Sequence, residues 1–167
     1  NTELIIQQSN PILESFGNAS TLRNHNSSRF GKFMKLQFNI SNQLIGAYIN
    51  PYLLEKVRVT NPSNNERNYH IFYQLLCGYD KLDELELNKD NKWNILNNVE
   101  PNEKDKENWN MLIEAFNVFE IDESQRLQIF KILASILHLG NVEFTPDEDG
   151  KSYIIDDKPV EIVARLL

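Results

Sequence analysis

The feature that most constrains this chain is a change of hydrophobic period near residue 60. Met34, Leu36, Phe38 and Ile40 alternate with Lys35, Gln37 and Asn39, the period of two of a half-buried strand. Beyond residue 65 the apolar positions recur every three or four residues, with Ile71, Phe72, Leu75, Leu76 and Tyr79 on one helical face. A chain carrying both periods sets helices against a β-ribbon, and its fold class is α/β with helix predominating.

The remaining elements follow from local signals. Residues 3–22 read as helix, broken into two pieces at Asn10-Pro11, with Gly17-Asn18 as a stop. Ala19 to Lys32 has no sustained apolar period and reads as a loop that leads directly into the first strand. Ser41-Asn42-Gln43 is a turn, Leu44 to Ile49 a returning strand, and Tyr52 to Thr60 a third strand after Asn50-Pro51. Asn61-Pro62-Ser63-Asn64-Asn65 is a turn, and a helix is expected from Glu66. Residues 80–106 are polar enough to be mostly surface loop with short helical turns, pinned by Trp93 and Ile95. Trp109, Leu112, Ile113 and Phe116 mark one further helix, and Leu127, Phe130, Leu133, Ala134 and Leu137 the next. Asp122 and Gln125 form a capping pair for the latter, and Gly140 ends it. A small hairpin of Val142–Phe144 with Tyr153–Ile155, and a last helix opened by Pro159, complete the chain.

Composition excludes several functions. The 167 residues are 41% hydrophobic, enough for one core, but no apolar run is long enough to span a bilayer. The net charge of −7, without a block of Lys or Arg, excludes a broad nucleic-acid surface. The N-terminus lacks both an initiator Met and the basic-then-apolar design of a secretory signal, and reads as a cut end. The lone Cys77, set among apolar residues, reads as a buried reduced thiol of a cytosolic protein. His70 and His138 lie in helical segments without metal-site spacing and read as structural, and Glu66-Arg67 as a local ion-pair or capping element. The acidic residues of 147–149 lack the pattern of a calcium loop and read as a solvated turn.

One segment carries candidate chemistry: Asn24-His25-Asn26-Ser27-Ser28-Arg29-Phe30-Gly31-Lys32-Phe33. Short side-chain oxygens, amide and hydroxyl donors and a small residue are what a phosphate and Mg²⁺ environment requires. Composition alone favours the blander reading, a solvated loop with Asx turns.

The full string resembles the switch I loop of myosin motor heads. Asn-x-x-Ser-Ser-Arg is shared with kinesins, but Phe30-Gly31-Lys32-Phe33 follows it as in myosins. The resemblance extends to Asn10–Ala19 before the loop, to Tyr52–Lys56 with Arg58-Val59 of the transducer, to Glu66–Leu76, and to Ile136–Val142. It implies an internal fragment of one P-loop NTPase-type motor domain. Residues 1–33 would be helices and switch I, residues 34–60 transducer strands of the central sheet, and residues 61–167 upper-domain helices, loops and a small hairpin.

By the same resemblance, Asn24 contacts the bridging and terminal phosphates, Ser27 stands beside the attacking water and γ-phosphate, and Ser28 is the Mg²⁺ ligand. Arg29 pairs with a switch II glutamate to close the site. The implied cofactors are ATP and Mg²⁺, and the implied partners an actin filament and light chains or calmodulin on a lever outside this chain. The implied location is the cytoplasmic actin cytoskeleton. No Gly-x4-Gly-Lys-Ser/Thr phosphate loop and no Asp-x-x-Gly-Phe-Glu switch II occurs in the sequence, so the piece alone is expected to be inactive. Val57 and Asn65 depart from the Ser and Gly usual in the family, both away from the phosphate contacts. A non-catalytic myosin-like scaffold with a degenerate nucleotide site is the alternative, and retention of Asn24, Ser27, Ser28 and Arg29 favours the enzyme. A free-standing helical interaction module would explain the helices but not the ordered motifs.

Overall fold

The structure, a computed structural model, describes residues 2–63, 65–88, 90–97, 99–146 and 149–167. The chain-end reading at Asn1 and the turn reading at Asp147 and Glu148 lie outside them. Helix α1 (Thr2–Gly17) leads through the short strands β1 (Asn18–Ala19) and β2 (Ser27–Ser28) into the ribbon of β3 (Gly31–Phe38) and β4 (Leu44–Tyr52). Then come α2 (Val57–Thr60), α3 (His70–Gly78), α4 (Glu103–Val118) and α5 (Glu123–Gly140). The hairpin of β5 (Phe144–Pro146) with β6 (Ser152–Ile154) and α6 (Lys158–Leu166) close the chain. The strands form three separate antiparallel pairs among the described residues.

The core lies in the helical part. Leu75, Leu112, Ala134 and Leu137 are fully buried where α3, α4 and α5 meet, and α6 seals one side with Ile162 and Leu166. Among the aromatic residues, assigned by their type to core packing, Trp109 packs on Phe130 with ring centroids 5.1 Å apart and Tyr79 meets both at an angle, whereas Phe33, Phe38, Phe119 and Phe144 stand exposed. Trp93 and Ile95 pin the 80–106 segment as expected, joined by Leu82, Leu85 and Leu87, and its helical turns fall at Leu82–Leu85 and Asn94–Leu96. The Asp122–Gln125 capping box is fully formed, and Asn102–Asp105 makes a second one at the start of α4.

Several expectations are corrected. First, α1 is continuous through Pro11 instead of breaking there. The proline forfeits a single hydrogen bond and its ring crowds the Gln7 carbonyl, but packing of Ile12 and Phe16 against the core holds both sides in line. Second, the 19–32 loop is not wholly irregular, because Asn18 and Ala19 pair with Ser28 and Ser27. Third, no third strand forms over 52–60. Leu53 turns the chain through a left-handed φ of 55°, and α2 follows. Glu55 and Arg58 meet at helical i,i+3 spacing, which a strand would place on opposite faces. Fourth, α3 starts at His70 and not at Glu66, because residues 66–69 run extended beside β1: Arg67 N–H donates to the Ser20 carbonyl at 3.0 Å and Tyr69 bridges to Ala19. Fifth, Cys77 is half-buried, its thiol directed to the Gln74 carbonyl at 3.6 Å.

The ribbon alternates as expected but is not half-buried. Met34 pairs with Ile49 and Leu36 with Ala47, while Phe33, Phe38, Ile45 and Tyr48 stand more than half exposed. Both faces of this ribbon present apolar side chains to solvent.

Candidate functional site: the 24–29 loop

The loop is built where α1 ends. Arg29 N–H donates to the Gly17 carbonyl at 2.8 Å, and the Phe30 ring lies over Gly17 so closely that a Cβ there would collide with it. Gly17 is therefore required by close approach.

Asn26 fastens the back of the loop. Its Oδ1 accepts from Asn18 Nδ2 at 2.9 Å and lies 3.2 Å from His70 Nε2, and its Nδ2 donates to Glu14 at 2.9 Å. His70 is buried, and burial followed by the charge of Arg67 holds its pKa below the ordinary value. A neutral ring carrying its proton on Nε2 suits the contact with the Asn26 oxygen. Behind these residues lies a polar cavity of about 550 Å³ between α1, α3 and the start of α4. Arg67 crosses there, bound to Asp105 at 2.7 Å and stacked 3.7 Å above the Tyr73 ring. Glu66 and Arg67 each have a partner elsewhere, Arg58 and Asp105, so the dipeptide is structural but is neither the local ion pair nor the helix cap expected of it.

The front of the loop holds the four residues singled out in the sequence. Asn24 is exposed, and its Oδ1 accepts from the Asn26 N–H at 2.9 Å, an Asx turn that sets the amide's direction. Ser27 Oγ accepts from Arg29 Nη1 at 3.2 Å, which brings these two together. Ser28 is exposed and donates its hydroxyl proton to the Phe30 carbonyl at 3.0 Å. With its proton given to that carbonyl, the Ser28 oxygen keeps its acceptor capacity. No cluster of three His, Cys, Asp or Glu side chains that would hold a metal occurs among the described residues. Toward a hard cation such as Mg²⁺ the exposed front of the loop could offer a hydroxyl oxygen of Ser28 and no carboxylate cluster. His25 is exposed, as expected of a polar loop side chain.

Arg29 finds its carboxylate inside this chain. Its Nε donates to Glu55 at 2.7 Å, and the same Glu55 oxygen accepts from Arg58 Nε at 2.6 Å. Arg58 is 3% exposed and also reaches Glu66 at 3.0 Å and the Arg67 carbonyl at 3.1 Å. The hydrogen bond from Arg29, opposed by burial and aided by Arg58, holds the Glu55 carboxyl below its ordinary value. Glu55 was not among the residues the sequence points to. Its signal was the i,i+3 pairing with Arg58, visible once 55–60 is read as a helical turn. Asn18 and His70 give no sequence signal, since both join the loop from separate elements.

An α/β segment in which a polar loop is tied at its back to a helical body and continues directly into a β-ribbon defines the class. The family model for the myosin head (motor domain) matches residues 1–167, and the chain belongs to that family. It is 49% identical over 163 residues to Myosin-1 of Saccharomyces cerevisiae, covering 93% of this chain and 8% of the relative. It is 43% identical over 166 residues to human unconventional myosin-Ih, with 95% and 16% covered. Against unconventional myosin-Ic of Danio rerio the identity is 42% over 168 residues, with 96% and 16% covered. The chain thus spans only a small part of the length of the curated relatives it matches. No described helix is long and apolar enough to cross a membrane.

Proposed function

We propose that this chain is one segment of an actin-activated Mg-ATPase motor, in which residues 24–29 act as switch I and residues 34–60 as part of the transducer. The observation that carries the reading is the division of the loop: Asn26 fastens its back, while Asn24, Ser27, Ser28 and Arg29 remain on the front in one short stretch. In this reading the Asn24 amide and Ser27 hydroxyl orient the terminal phosphate and the attacking water, and Ser28 supplies the metal ligand. Mg²⁺, when bound with ATP, neutralises the charge that spreads over the phosphate oxygens. Positioning of this kind accounts for most of the catalysis of phosphoryl transfer. Arg29 closes the site on a carboxylate of switch II, which with the phosphate loop would come from segments outside this sequence.

The loop runs into β3 after only Phe30, so a displacement at Ser28 or Arg29 reaches the ribbon without an intervening hinge. Release of the γ-phosphate contacts then frees both loop and ribbon. The actin filament, a lever with light chains or calmodulin, and a place in the cytoplasmic actin cytoskeleton belong to the whole motor in this reading. Arg29→Glu in the full-length motor is the test: hydrolysis should fall sharply while MgATP still binds, and normal turnover would contradict the closing role. The 167 residues alone should not turn over ATP, and a clear Mg-ATPase signal from them would overturn the division of the site among segments.

A further inference from the structure

Two links join Arg29 and Glu55, which are 26 residues apart. Arg29 Nε donates to the Glu55 carboxylate at 2.7 Å, and the Glu55 N–H donates to the Arg29 carbonyl at 2.9 Å. Glu55 is itself located by rigid neighbours. The buried Arg58 grips the same carboxylate oxygen, and the Tyr69 hydroxyl donates to the Glu55 carbonyl at 2.9 Å. Arg29, by contrast, is 30% exposed at its side chain and depends on the loop for its place. Its Nη1 donates to Ser27 Oγ at 3.2 Å, and Nη2 has no partner among the described residues.

A guanidinium offers five donors in a fixed plane, so capture of Nε by one carboxylate leaves the outer edge for another. We propose that Glu55 is a positioning residue for Arg29: it holds Nε so that the outer guanidinium edge meets a second carboxylate during closure, and so that Nη1 fixes the Ser27 hydroxyl. This rests on the reading of residues 24–29 as a nucleotide switch. Without Glu55 the arginine samples many rotamers, and ordering it falls to the closing step. A merely structural role, neutralising Arg58, is separable because Glu66 also pairs with Arg58 and does not touch Arg29.

The experiment measures single-turnover hydrolysis and steady-state MgATP kinetics in the full-length motor that contains this chain. Glu55→Gln should slow hydrolysis about ten- to a hundredfold. Its KM for MgATP should stay within about twofold, because the contacts of Asn24 and Ser28 to the nucleotide do not pass through Glu55. Glu66→Gln should leave the hydrolysis rate within about twofold of the parent. In an Arg29→Ala background, Glu55→Gln should add no further loss, since its effect passes through the arginine. An undiminished rate in Glu55→Gln, an equal loss in Glu66→Gln, or a full additional loss in the Arg29→Ala background would each overturn the proposal. If Glu55→Gln does not fold, Glu55→Asp keeps the charge with a shorter reach, and a loss that disappears in the Arg29→Ala background supports the proposal while a loss that persists there overturns it. Normal turnover by Arg29→Ala alone would remove the switch reading itself, and is thereby distinguished from a failure confined to Glu55.

Discussion

The helical body and the β3–β4 ribbon have similar supplies of large apolar residues and opposite use of them. In the body, Leu112 and Leu75 are 0% exposed and Phe116 is 1% exposed, because α3, α4 and α5 cover one another. In the ribbon, Phe33 and Tyr48 are each 61% exposed, although they sit in eight- and nine-residue strands with regular pairing. Hydrogen bonding alone satisfies the backbone of a ribbon but buries neither face. The body therefore supplies the folding energy of this chain, and under the proposed function the exposed ribbon is the part that the loop would bend.

The sharpest test of that contrast compares large-to-small substitutions in the two regions. Leu112→Ala should destabilise the chain by about 3–5 kcal/mol, read from the urea midpoint, as a fully buried leucine loses transfer energy and leaves a cavity. Tyr48→Ser in the ribbon should cost no more than about 0.5 kcal/mol in the same assay. Equal losses would break the comparison. Between the two regions stands the buried Arg58, and Arg58→Ala should cost about 3 kcal/mol because it leaves Glu66 without its partner and Glu55 with Arg29 alone. Gly17→Ala should follow at about 1–3 kcal/mol, since its Cβ must displace the Phe30 ring at the junction of body and loop.

Acid should act first on the body. The pKa values of His70 and His138 are both held below the ordinary 6.5, chiefly by burial, so the unfolded chain binds protons that the folded chain refuses. Their contribution is complete above pH 6.5 and is lost as pH falls through their folded values. Glu55 lies below its ordinary 4.5, so its pairing contributes above that pH and fades only at stronger acidity. A melting temperature that declines between pH 7 and 5, with the decline flattened in a His70→Gln, His138→Gln double variant, is the expected profile. An unchanged slope in that variant would assign the acid response elsewhere.

What the sequence disclosed divides along similar lines. The capping pair Asp122–Gln125, the pinning residues Trp93 and Ile95 and the helical stripes were readable because each signal is local and repeats with a fixed period. The continuity of α1 through Pro11 was not, since it depends on packing of Ile12 and Phe16 against distant residues. Nor was the turn at 53–60, where β-prone residues give way to the pull of Glu55 and Glu66 on Arg58. Asn68 is hidden from any local pattern for the same reason: fully buried, it donates to the carbonyls of Val59 and Ile95 and joins three segments that share no pattern. Of the loop itself, the residue types were legible and the anchors were not, because Glu14, Glu55 and His70 reach it from other elements.

Under the proposed function the front of the loop contacts phosphate and Mg²⁺, with Ser28 as the metal's hydroxyl ligand. The most direct test of that role is the Mg²⁺ dependence of ATP turnover in full-length motor carrying Ser28→Ala. Turnover should fall about a hundredfold, eased by raised Mg²⁺, as expected when one preorganised contact is removed. Wild-type MgATP kinetics in that variant would contradict it.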